Sequence, residues 1–223
     1  MMISGLLSLF LLSPAAQAQE PPRGVILGPG VYVIDELSED PDGEWLGLAQ
    51  APDGSWRLEK VTAQISQTLL EGDKPGAPTG LRVAAKGSGR ILLMMRGLSL
   101  PGAKVTAAEV SYSSSRLPGE QTITCNLGAD TFKIWGKPIE GTDKAVVKMS
   151  LEGVEQELCM LTASEDSSWD VLWAGDMDDD GAPDVLLAVA EKGTGHKRLL
   201  LSSKAKLRNL VGLAGEHSYS FGN

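Results

Sequence analysis

The sequence predicts a mainly β protein: antiparallel sheets, arranged as a β-sandwich or a partly open barrel, with at most short helices. Short apolar runs separated by Gly, Pro and Asp clusters recur from Val25 onward, which is the punctuation of strands and turns. Few windows sustain a helical period over three turns. The two-residue turn Glu152-Gly153 joins two runs whose apolar positions line one face, the mark of a hairpin.

In the first half of the chain, residues 31–34, 44–49, 55–65 and 91–95 read as strands, and Ala51-Pro52-Asp53-Gly54 supplies a turn between the second and third. The Gly- and Pro-rich segment 71–80 reads as a linker or long loop. Residues 122–127 and 132–135 continue the strand pattern, followed by the hairpin 145–161. A turn at Glu152-Gly153 pairs Leu151 with Val154, Lys148 with Glu157 and Val147 with Leu158, and it sets Cys159 opposite Val146. Residues 171–173, 185–189 and 198–203 are further strands, and 203–211 reads as a short helical turn with Ser203 as its N-cap. No internal repeat of 20 to 50 residues is visible.

Residues 1–18 have the form of a signal peptide: an apolar run from Ile3 to Leu12, then Pro14, then the small-x-small site Ala16-Gln17-Ala18. That run is shorter than the roughly 20 apolar residues a membrane crossing needs. The expected protein is therefore exported, to the periplasm or the exterior, with an N-terminal β-rich region at 19–116 and a C-terminal one at 117–223, or the two fused in one domain. No later stretch is apolar enough to span a membrane. A net charge of -9 opposes binding to nucleic acid or to anionic lipid. In an oxidising compartment Cys125 and Cys159 are expected to form a disulfide; two buried thiols on neighbouring strands are the alternative.

The most specific feature is the loop Asp176-Met177-Asp178-Asp179-Asp180-Gly181-Ala182-Pro183-Asp184. Asp176, Asp178, Asp180 and Asp184 stand at positions 1, 3, 5 and 9, with Gly181 at position 6, so alternate side chains can converge on one point. Clustered carboxylates repel one another unless a cation neutralises them, and calcium takes about six to eight oxygen ligands. Gly181 permits a positive φ, and the Ala182 carbonyl at position 7 can add a backbone ligand. Calcium is the expected ion. An EF-hand is disfavoured because position 12 is Leu187 instead of a bidentate Glu, and because the flanks read as strands.

From Trp173-Ala174-Gly175-Asp176 through Val189 the chain resembles the calcium-binding core of an FG-GAP repeat, the unit of integrin α-chain propellers and of many secreted bacterial proteins. The resemblance covers about twenty residues. It implies that Asp176, Asp178, Asp180 and Asp184 ligate calcium in a β-hairpin loop. Asp179 stands where the family often has Gly or Asn. A propeller needs at least four blades and only one motif is present, so a full β-propeller is not expected.

Other chemistry is less marked. The acidic run 35–44 is irregularly spaced and broken by Pro41, and reads as a solvated loop. His196 and His217 fall in no triad or zinc pattern, and Ser203-Lys204-Ala205-Lys206 matches S-x-x-K without its companion motifs. The basic stretch Lys192, Lys197, Arg198, Lys204, Lys206 and Arg208 reads as a solvated face, or as an anion-binding patch for a partner protein or a cell-envelope polymer. The expectation is an exported, non-enzymatic calcium-binding protein. The alternatives are an envelope hydrolase with a structural calcium, and a carbohydrate-binding β-sandwich with its tryptophans lined up on one exposed face.

Overall fold

In the computed structural model the described residues are 24–37, 43–100, 104–113 and 121–220. The expected signal sequence and residues 38–42 of the acidic run lie outside them. The described residues form three antiparallel sheets and only two single 3-10 turns, so the expected mainly β, antiparallel architecture is present.

The first sheet takes β1 (Val25–Leu27), β2 (Gly30–Val33), β3 (Glu44–Gln50), β4 (Trp56–Thr68), β5 (Gly80–Lys86) and β6 (Arg90–Arg96), in the order β1-β6-β3-β4-β5-β2. Two short strands follow, β7 (Thr106–Ala107) and β8 (Glu109–Tyr112). β8 heads a meander with β9 (Thr122–Leu127), β10 (Asp130–Pro138), β11 (Lys144–Leu151) and β12 (Val154–Thr162). β7 joins β13 (Ser168–Asp176), β14 (Asp184–Glu191), β15 (Thr194–Leu201) and β16 (Gly212–Ser220) in the third sheet.

That third sheet is the middle layer of the molecule. Val171, Val185, Leu187 and Val189 face the β8–β12 sheet and pack with its Ile123, Phe132, Ile134, Val147 and Met149. Trp173, Leu186, Leu199 and Leu201 face the opposite way and pack with Leu48, Leu93 and Met95 of the first sheet. Successive side chains of a strand point to opposite faces, so a strand covered on both sides must be apolar at every position. This is why 185–189 reads Val-Leu-Leu-Ala-Val without alternation. The first sheet closes a third cluster of its own around Tyr32, Trp45, Val61, Val83 and Met94.

The segment 71–80, a linker or long loop by sequence, is the long loop between β4 and β5 of one sheet. Asp73 organises it, accepting hydrogen bonds from the amides of Leu70 and Thr79, each at 2.8 Å. The helical turn at 203–211 does not form. A single 3-10 turn, Ser202–Lys204, is followed by irregular chain up to Gly212, and Ser203 caps nothing because its hydroxyl is used elsewhere. The β11–β12 hairpin pairs Leu151 with Val154 and Lys148 with Glu157 as expected. A bulge then shifts the ladder, so Val147 meets Cys159 and Val146 meets Met160.

The expected Cys125–Cys159 disulfide is absent: both are buried free thiols. Cys125 lies on β9 and Cys159 on β12, with β11 and β10 between them. Three inter-strand steps separate the two chains by roughly 14 Å, whereas a disulfide needs Cα atoms within about 7 Å. The two residues share one apolar cluster without being neighbours. Trp45, Trp169 and Trp173 are buried, and half-buried Trp56 sits edge-to-face on Trp173, which leaves these rings in the core and not on a platform.

Candidate metal centre

The acidic loop joins β13 to β14, the central pair of the middle sheet. Its geometry begins with a bulge at Leu172, which turns Trp173 onto the face opposite Val171 and packs it against the first sheet. Gly175 comes next, where β7 pairs close alongside: a Cβ there would stand 2.2 Å from the Thr106 carbonyl oxygen. Met177 is wholly buried in the cluster shared with the first sheet and pins the start of the loop. Asp179 and Gly181 take positive φ of 59° and 81°, which turns the chain back toward β14.

With the loop so bent, Asp176, Asp178 and Asp184 are all buried, and one oxygen from each lies within 4.8 Å of the others. Asp176 accepts from the amides of Asp180 (3.2 Å) and Gly181 (3.0 Å). Asp184 accepts from the Met177 amide (2.7 Å) and, through its other oxygen, from the Ser202 amide (2.8 Å) and hydroxyl (3.0 Å). Asp178 accepts one bond from the Ser203 hydroxyl through Oδ2, while its Oδ1 is buried with no hydrogen-bond partner among the described residues.

A buried carboxylate left unpaired is costly, and the electrostatics show it. Burial pushes the Asp184 carboxyl up to about 7, against the lowering effect of its three hydrogen bonds. Asp178 is raised as well, first by burial and further by the Asp180 and Asp176 carboxylates, although the Ser203 hydroxyl acts to lower it. Three clustered carboxylates, one of whose oxygens is buried without a donor, can hold a metal ion.

Asp180 stands apart from this triad. It is exposed at the rim, where it accepts from the Ala182 amide (2.8 Å) and the Ser202 hydroxyl (2.7 Å). Ala182 is half-buried beside it. Sequence reasoning missed Ser202 and Ser203. The Lys192-Gly193 turn could have found them, because it pairs Glu191 with Thr194 and, counted back along the hairpin, Val185 with Leu200. The two serines then fall beside Asp184.

The remaining candidates lie elsewhere. His196 contacts Ser218 and Glu216, and His217 sits between Tyr32 and Tyr219. The basic stretch is not one face: Arg198 pairs with Glu216 at 2.8 Å, and Lys197 is half-buried over the Tyr219 ring. No protein-family model matches the chain, and no curated protein or solved structure matches it either.

Proposed function

We propose that the chain is an exported, non-enzymatic calcium-binding protein in which one ion locks the β13–β14 loop. The observation that carries this is the buried Asp178 oxygen without a donor, set beside two further buried carboxylates. The ligand set is oxygen only, which suits a hard cation. Asp180 joins by exchanging its Ser202 hydrogen bond for the ion, and the Ala182 carbonyl adds a backbone oxygen. Calcium is favoured over magnesium because magnesium demands near-ideal octahedral geometry and gives up its waters reluctantly.

Binding to the folded state alone would make the ion part of the stability of the fold. The ligands come from the end of β13, the start of β14 and the loop between them, so the ion ties together two central strands on which both outer sheets rest. Calorimetric titration of the purified protein tests the assignment. One calcium per chain is expected, with weaker magnesium binding and no calcium binding by Asp178→Ala. Equal binding by the variant would remove the loop from consideration.

A further inference from the structure

The first sheet leaves a gap in its wall. β5 follows directly into β6 through residues 87–89, yet the two strands do not pair with each other. β2 covers the flank of β5 only as far as Val83, its pairing beginning with Gly30 to Val83. β1 covers β6 only from Met94 onward, its pairing ending with Leu27 to Met94. The facing flanks of 84–86 and 90–93 are therefore uncovered, and between them lies an open cleft of about 510 Å³.

The cleft's lining mixes polar and apolar atoms in nearly equal measure. Val83 belongs to the cluster inside the sheet, Ile91 packs against that cluster, and Val31 and Ala84 are exposed at the mouth. The only charged residues lining it are Arg82 and Arg90, both exposed, and no carboxylate lines it. Neither guanidinium forms an ion pair or a hydrogen bond among the described residues. This is in a chain with 29 acidic residues against 20 Lys and Arg. Arg57 and Arg198, for comparison, are each paired with a glutamate.

We infer that this cleft binds an amphiphilic anion, whose carboxylate or phosphate head is held by Arg82 and Arg90 and whose apolar body lies over Val31, Ala84 and Ile91. Guanidinium groups recognise such heads through paired, charge-assisted hydrogen bonds. Clefts lined by apolar side chains with a few fixed polar groups are ordinary ligand sites, and the volume falls in their usual range. The inference does not depend on the ion in the acidic loop, which belongs to a different sheet.

Calorimetric titration of the full protein with octanoate, octyl phosphate, inorganic phosphate and 1-octanol tests it. Saturable one-to-one binding of octanoate or octyl phosphate is expected, and the tighter of the two identifies the head group. Arg82→Gln and Arg90→Gln should each weaken it roughly tenfold or more, and Ala84→Trp, which fills the cleft, should abolish it, all with unchanged melting temperature. Inorganic phosphate binding as tightly as octyl phosphate would leave a bare anion site and overturn the apolar half of the inference. Octanol binding as tightly as octanoate, or undiminished binding by both arginine variants, would overturn the other half.

Discussion

The hydroxyl of Ser203 donates to Oδ2 of Asp178, across 25 residues of chain, and among the described residues is the one hydrogen bond that this carboxylate receives from another side chain. It couples the first loop of the middle hairpin to the turn that leaves it. Its loss would leave Asp178 buried with neither oxygen bonded by a side chain, so Ser203→Ala should lower the stability of the metal-free protein by about 1–3 kcal/mol. Calcium should shrink that deficit, because the ion takes over as partner. Denaturant melts with chelator and with calcium check this; an equal deficit in both conditions would argue that the serine acts independently of the ion site.

The pH dependence of the metal-free protein follows from Asp184. Its carboxyl titrates near 7 in the folded state, against about 4 in an unfolded chain. A raised value means that the protonated form favours folding. The contribution is complete below about pH 4 and disappears as the pH rises through 7. Asp178 is shifted in the same direction. In chelator this pair should make the protein less stable at pH 8 than at pH 5.5, and saturating calcium, which selects the ionised carboxylates, should reverse the sign. Thermal melts at the two pH values, with and without calcium, measure both slopes.

The thiols should be inert. Burial pushes Cys125 up to about 12 and Cys159 up to about 11, so neither supplies thiolate at neutral pH. Ellman's reagent should label neither cysteine in the native protein and both in denaturant. A reductant should leave the melting temperature unchanged, since no bond joins β9 to β12. Labelling of one thiol in the native state, or a reductant-dependent melt, would contradict the separation of the two strands.

What could be read from the sequence depended on the range of the interaction. Turn chemistry and alternation are local, so Glu152-Gly153 and the strands around it were legible, as was the spacing that brings Asp176, Asp178 and Asp184 together. The bulge that slides Cys159 past Val146 has no local signature, and the four-strand order that parts Cys159 from Cys125 is a property of the sheet. Ser203 looked like a helix cap because a serine before an apolar pattern usually is one. Here tertiary demand prevailed: a buried carboxylate needed the hydroxyl. Strands β5 and β16 were missed because their burial is partial and their composition, rich in Gly, Ala and Ser, shows no clean period.

The central claim is that calcium in the acidic loop stabilises the fold through Asp178. The direct measurement is the melting temperature of the wild-type protein and of Asp178→Asn, each in saturating calcium and in chelator. At calcium about a hundredfold above its Kd, the wild-type should melt about 5–10 °C higher than in chelator. Asp178→Asn should show no calcium shift, and in chelator it should melt no lower than the wild-type, because it removes a buried charge that lacks a partner on Oδ1. A wild-type melting temperature indifferent to calcium, or a calcium shift that survives in Asp178→Asn, would contradict the account.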